Sequence, residues 1–333
     1  MKAAVLRQIG DLRVEEVDTP QCGRGEVLIR VESCGICRTD LKMYREGQRD
    51  LRLPRILGHE VTGTVVEAGH EVRGVFEGDR IQVAPGFSCG RCRFCLQGMF
   101  NMCDNISILG FDHDGGFSDY LLLPEEAVRS GCLNPIPSNL SFNEATLAEP
   151  VACCINGLER AGVNVGDTAL IIGGGVIGNI FYHLLRLTGA SRVFVVETSP
   201  NRREFMRKNR IEALESVESV QEGVDILIPA CSDPSALIEG MKMVKKRGKV
   251  ILFSGLSPSP HPMVLDPNLI HYNEFLLTGA YGCTQLQNRK ALWLMAEGGL
   301  DLGYLITDRV PLHRILDGLR MVEEKRGMKV VVG

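Results

Sequence analysis

No stretch of this chain is apolar over the roughly 20 residues that a membrane-spanning helix needs. Its longest such runs, Thr168–Ile172 and Val193–Val196, are strand-sized. Blocks of one charge are also missing: 37 basic residues face 41 acidic ones, for a net charge of -4. That balance argues against an electrostatic nucleic-acid surface, so neither a membrane nor a nucleic acid is an expected partner. The opening MKAAVLRQIGDLRVEEV has no secretory apolar region and no small-residue cleavage site, which makes the cytoplasm the expected compartment. Repeats and low-complexity linkers are absent as well. Ser257–Pro262 (SPSPHP) reads as a Pro-rich loop, not a domain joint.

What is present is an ordinary globular composition, 44% hydrophobic and 23% charged. At 333 residues the chain is long enough for two domains. Twelve cysteines without an export signal are poor disulfide candidates in a reducing compartment, and clustered ones suit a metal better.

Residues 1–140 read as short β-branched runs (Glu26–Val31, Val61–Glu67, Arg80–Val83) bounded by glycines and by the Gly78-Asp79 turn signal. From residue 141 the texture changes. Helical spacing over Asn143–Ala161 leads into the strand Thr168–Ile172, the helix Asn179–Thr188, the strand Arg192–Glu197 and a helix from Pro200. Strands at Val224–Pro229 and Lys249–Phe253 continue the alternation, which predicts an α/β protein with a parallel sheet. Helices over Leu286–Glu297 and Ile315–Glu324 and a strand over Lys329–Val332 close the chain.

The run TALIIGGGVIG places Gly173, Gly175 and Gly178 in a G-x-G-x-x-G pattern between a strand and a helix. An acid, Glu197, ends the next strand at the expected distance. In that pattern Gly173 permits the tight turn, Gly175 lets backbone approach a pyrophosphate, and Gly178 allows close helix–strand packing. Val176 and Ile177 lie in the loop that leads into the helix, whose N-terminal N–H groups suit a phosphate. Glu197 would accept hydrogen bonds from the ribose hydroxyls and repel a 2′-phosphate, so NAD is expected over NADP. Arg202 and Arg203 pull the other way.

Cys89-x2-Cys92-x2-Cys95-x7-Cys103 supplies four thiolates within one short segment. Four such ligands close a tetrahedral zinc shell with no position left for water, so that ion would be structural. An iron–sulfur cluster is the competing metal. A second site is harder to read. Cys34-x2-Cys37 invites a redox role, and Gly-His-Glu-Val occurs twice, at 58–61 and 69–72. Spacing alone does not choose between them.

Taken together, GICRTD (35–40), GHEVTG (58–63), the four-cysteine segment, GDR (78–80), DGGFSDY (114–120), AEPVAC (148–153), the glycine loop and Pro311-Leu312 resemble the zinc-containing medium-chain dehydrogenases. The likeness to this alcohol, sorbitol and threonine dehydrogenase superfamily covers essentially the whole chain, and is strongest to its polyol branch. It implies a GroES-like β-rich catalytic domain over 1–142, with a structural zinc lobe at 86–104, completed by 283–333. A doubly wound Rossmann NAD-binding domain would occupy 143–282. It further implies Cys37 and His59 as catalytic zinc ligands, with Glu60 or Glu149 as the third. Cys34 becomes packing, and His70-Glu71 a surface turn. Asp40 would orient the histidine, Thr39 would pass the substrate proton, and Arg38 would meet a cofactor phosphate.

The implied activity is hydride transfer from a secondary alcohol (polyol, cyclitol or sugar) to NAD+, with two zinc ions per chain in a homodimer or homotetramer. A threonine-type amino alcohol is the alternative substrate, with a simple alcohol third. Tyr44, Lys42, Phe111, His113 and Tyr281 are pocket candidates. Lys42, Cys231 and Asp308 depart from residues common in the family, which points to altered relay or substrate contacts.

Overall fold

The computed structural model describes residues 1–255 and 263–333; the Pro-rich stretch read at 257–262 lies outside them. The chain divides into two compact units, Met1–Ala152 with Cys283–Gly333, and Cys153–Gly282. No helix among the described residues is long and apolar enough to cross a membrane.

The first unit is built on a seven-stranded sheet. Its strands run in the order Leu133–Pro135, Arg80–Val83, Glu60–Ala68, Val27–Gly35, Lys329–Val332 and Ile306–Val310, with Tyr120–Leu123 also pairing to Val27–Gly35. All these pairs are antiparallel except the last two strands, which run parallel. Val27–Gly35 is central: its residues pair with Glu60–Ala68 on one side and with Lys329–Val332 and Tyr120–Leu123 on the other. The C-terminal strand therefore lies beside the strand that leads to Cys37, although some 300 residues of chain separate them. An N-terminal hairpin, Lys2–Gln8 with Asp11–Glu16, adds a small sheet that the sequence patterning does not predict. Phe87, Phe117, Leu57, Ile29 and Met43 fill the core of this unit, all essentially fully buried.

Cys153–Gly282 holds a five-stranded, all-parallel sheet in the order Arg192–Val196, Thr168–Ile172, Val224–Pro229, Val244–Leu252, Leu276–Gly279. The predicted α/β alternation is realised, with helices Val176–Leu187, Pro200–Lys208, Pro234–Met241 and Pro267–Asn273 as crossovers. A parallel bridge between Val196 and Leu214 marks a third strand shortened to one pairing. The chain leaves Thr168–Ile172 towards one edge, then returns to its other side with Val224–Pro229. Such a reversal opens a crevice beyond the carboxyl ends of the two strands, where doubly wound sheets place ligands. The first crossover helix begins at Val176, three residues before the predicted start, because Gly178 lies inside it against the strand. Asn143–Ala161 is two helices, Phe142–Ala145 and Ala148–Ala161.

Candidate active site

Cys37 ends the run out of the central strand and serves as N-cap of the helix Arg38–Glu46. The Asp40 carboxylate accepts the Cys37 N–H at 2.8 Å, and the Cys37 sulfur accepts from the Thr39 N–H at 3.5 Å. This reciprocal cap fixes where the thiol points. His59 and Glu60 arrive from the neighbouring strand, whose first residue is Glu60. One ligand atom from each of Cys37, His59 and Glu60 lies within 4.8 Å of the others.

Asp40 is fully buried and does a second job. Its Oδ1 accepts the Gly58 N–H at 3.3 Å and sits 3.3 Å from His59 Nδ1. Nδ1 is buried without an aligned hydrogen-bond partner. Burial alone would lower the His59 pKa, but the Asp40 charge and contacts to Asp40 and Cys37 raise it well above its ordinary value. An imidazole facing a carboxylate on one nitrogen, beside a thiol and a second carboxylate, is a cage for a cation. This is the arrangement in which a carboxylate orients a metal-bound histidine, and the donor set fits zinc. The edge of the Phe111 ring packs on His59, with centroids 5.8 Å apart, and walls one side of the group.

Lys329 is the residue that sequence reasoning missed. Its ammonium donates to both oxygens of Glu60, at 2.6 and 2.5 Å, and only 5% of its side chain is exposed. Burial would lower its pKa; Glu60 above all, then Cys37 and Glu149, raise it instead, so it stays charged. A lysine in a C-terminal strand carries no motif, and nothing local marks it. Glu149, buried in the first turn of Ala148–Ala161, lies within 4.8 Å of Cys283 and outside the Cys37–His59–Glu60 group. Cys34 is fully buried, and desolvation, with the Asp40 and Glu60 charges, pushes its thiol well above the usual value. A thiol so protonated is unsuited to exchange chemistry. His70 is exposed beside Glu71 at 3.8 Å, a surface pair. Of the pocket candidates, His113 packs on Phe87 at 5.5 Å, while Arg45 lies over the Tyr44 ring. Arg38 and Tyr281 are exposed; Lys42 and Thr39 are half-buried.

Cys89, Cys92, Cys95 and Cys103 offer sulfurs all within 4.8 Å of one another. Cys92 stands 3.5 Å from Cys95 and 3.9 Å from Cys103. A tetrahedron with metal–sulfur bonds of about 2.3 Å has edges of about 3.8 Å, so these separations fit one zinc ion. Backbone N–H groups of Cys95 and Asp104 lower the Cys92 thiol to about 6, which favours thiolate at neutral pH. The Cys103 sulfur accepts the Cys89 and Asn105 N–H groups at 3.3 and 3.4 Å.

In the parallel-sheet unit the glycine loop joins Thr168–Ile172 to Val176–Leu187. Gly173 has φ +117°, and a Cβ at Gly178 would overlap the Gly173 carbonyl oxygen, so both positions require glycine. Gly175 is the helix N-cap, followed by half-buried Val176 and Ile177. The Glu197 carboxylate accepts the Gly174 and Ser199 N–H groups, each at 2.8 Å. Arg202 lies 3.9 Å from that carboxylate, and Arg203 donates to the Glu197 and Thr198 carbonyls at 2.8 Å. Asn179, which no motif marks, donates to the Gly174 and Gly175 carbonyls at 2.9 Å and holds the loop from the helix side.

Residues 23–132 match the family described as Alcohol dehydrogenase GroES-like domain. The sorbitol dehydrogenase of Bacillus subtilis (strain 168) is 31% identical over 336 residues, covering 96% of this chain and 92% of that protein. The L-threonine 3-dehydrogenase of Pyrococcus furiosus is 33% identical over 313 residues, covering 90% of this chain and 86% of that one. A protein of Sinorhizobium meliloti 1021 described as a zinc-binding dehydrogenase, solved bound to NADP, superposes with a TM-score of 0.89 at 31% identity, covering 99% of this chain and 98% of that chain. With a four-cysteine zinc site, a Cys/His/Glu group and a five-stranded parallel sheet, the chain belongs to the zinc-containing medium-chain alcohol dehydrogenase superfamily, NAD(P)-dependent enzymes that oxidise alcohols and polyols.

Proposed function

We propose that this enzyme oxidises a secondary alcohol of the polyol, cyclitol or sugar class to its ketone and passes the hydride to NAD+. The observation that carries this reading is the Cys37–His59–Glu60 group with Asp40 behind the histidine. Cys37, His59 and one carboxylate, Glu60 or Glu149, would hold a catalytic zinc ion. The four-cysteine lobe would hold a structural one. When bound, the catalytic ion supplies Lewis acidity that lowers the pKa of a substrate hydroxyl.

The chain's own residues then have separable tasks. Asp40 keeps the imidazole turned so that the nitrogen away from it faces the ion. Thr39, half-buried beside Cys37, takes the substrate proton on its hydroxyl oxygen and releases its own towards solvent. Phe111 keeps water off one side of His59. Exposed Arg38 is available to a cofactor phosphate, as are the free N–H groups at Val176 and Ile177. The Glu149-Pro150 pair and the likeness to sorbitol dehydrogenase support a polyol over a simple alcohol. The homodimer or homotetramer belongs to the same reading.

The test is a panel of polyols, cyclitols, vicinal diols, L-threonine and simple alcohols with NAD+, scored by NADH formation. Highest kcat/KM on a polyol, cyclitol or sugar is expected. A preference for L-threonine would replace the substrate class, and no turnover of any member by zinc-replete enzyme would overturn the reading.

Cofactor choice gives a separate prediction. Glu197 presents a negative charge where a 2′-phosphate would sit, and it also braces Gly174. Hydrogen bonds to a charged acceptor contribute about 1.5–3 kcal/mol, so Glu197→Ala should raise the KM for NAD+ by roughly ten- to a hundredfold. The KM for NADP+ should rise far less, because a repulsion is lost with the brace. A wild-type preference for NADP+, or an unchanged ratio in the variant, rejects this role.

A further inference from the structure

Glu60 and Lys329 are 269 positions apart in sequence and meet across a single intervening strand. Glu60 pairs with Gly35 on one side of the central strand, and Gly35 pairs with Val331 on the other. A Cβ at residue 35 would overlap the Glu60 carboxylate. The missing side chain is thus a gap through which the carboxylate lies over the middle strand and reaches the ammonium beyond it. The Ile36 N–H donates to the Val330 carbonyl at 2.9 Å, which draws Cys37 to the same place. Both partners of the ion pair are nearly sealed from solvent, at 5% and 1% side-chain exposure. A pair this deep is a poor stability device, because desolvating two charges offsets most of their attraction. Its position against a metal-ligating group points to a role in the site.

We infer that Lys329 is a positioning residue that governs how Glu60 meets the ion held by Cys37 and His59. This rests on the proposed metal site at those two residues. Holding both Glu60 oxygens, the ammonium weakens that carboxylate as a donor and keeps one coordination position open for substrate. Without Lys329, Glu60 is a buried anion whose nearest compensating cation is the metal. It would then offer the ion both freed oxygens, which with Cys37 and His59 make four donor atoms and close the shell, as in a structural site.

Cobalt(II) in place of the Cys37/His59 ion reports this directly, read as a difference spectrum against Cys37→Ser so that the four-cysteine site cancels. In wild type, a thiolate-to-cobalt band and a shift of the visible bands on adding azide are expected. Lys329→Met should keep the thiolate band, lose the azide response and release cobalt to a chelator at least tenfold more slowly, with kcat down at least tenfold. Lys329→Arg should restore the azide response, and so should Glu60→Gln combined with Lys329→Met, which lacks the Glu60 carboxylate that would close the shell. Lys329→Gln serves as the second neutral variant if Lys329→Met does not fold. An azide response like wild type in either neutral variant, or none in the double variant, overturns the inference. Absence of a Cys37-dependent band in wild type instead defeats the metal-site reading itself.

Discussion

Cys37→Ser should lower bound zinc from two ions per chain to one and cut kcat/KM by at least about a thousandfold, with the fold intact. Lewis-acid stabilisation by a bound metal is worth several kcal/mol, and each 1.36 kcal/mol is a factor of ten in rate. Cys37 contributes the thiol of the group, from a position set by the helix cap and not by the ion. Serine can keep that cap while being a much weaker zinc ligand, so the loss falls on metal and turnover, not on folding. His59→Ala should match it in zinc and rate but cost stability too. It strips the imidazole from beside Asp40, which is fully buried and 3.3 Å from Nδ1. Metal analysis on chelator-free protein, paired with initial rates, checks both variants. Undiminished turnover in folded Cys37→Ser, or two zinc ions still bound to it, would remove Cys37 from the catalytic centre.

The second large effect concerns the lobe. Cys103→Ala should release the other zinc ion and let trypsin cut at exposed Arg91 or Arg93 at least about tenfold faster, as local opening becomes easier. Little besides the four sulfurs organises this segment. It has two 3-10 turns, Cys95–Gln97 and Phe100–Met102, and a two-residue pairing of Gly86–Phe87 with Ser107–Ile108. Leu96 and Met102 are 76% and 46% exposed, so there is little apolar burial to hold it closed without an ion. In small zinc-binding peptides the metal contributes about 10–16 kcal/mol of folding free energy, which sets the scale of what the lobe would lose. Loss of zinc without any change in cleavage would show that the loop holds itself. A visible absorption that disappears with Cys103 would identify an iron–sulfur cluster in place of zinc.

Parts of this architecture are written locally and could be read from the chain alone. Cys89 to Cys103 spans fifteen residues, so spacing already limits how four thiolates come together. The glycine loop is equally local: Gly173 and Gly178 are needed for a positive φ and for a close backbone approach within one strand–turn–helix unit. Its helix start was harder to place, because glycine inside a helix reads as a break until the packing against the strand is seen. The N-terminal hairpin was not legible, since residues 1–16 show no alternation strong enough to announce two paired strands.

The dispersed site is a different matter. Two copies of Gly-His-Glu-Val are indistinguishable as text, yet one puts His59 and Glu60 beside Cys37 and the other leaves His70 in a surface turn. Strand register makes that choice: Glu60 pairs with Gly35, two residues before Cys37. Cys34 and Cys37 look like a redox pair until burial separates a packed thiol from a half-buried one beside His59 and Glu60. Lys329 is the extreme case, because no window of sequence contains both it and Glu60. By itself the sequence determined the α/β class, the four-cysteine lobe and the glycine loop, whose groups are held in place by the few residues between them. Only the tertiary structure decided which His-Glu pair faces Cys37 and that a buried ammonium holds Glu60, because those contacts depend on which strands pair and in what register.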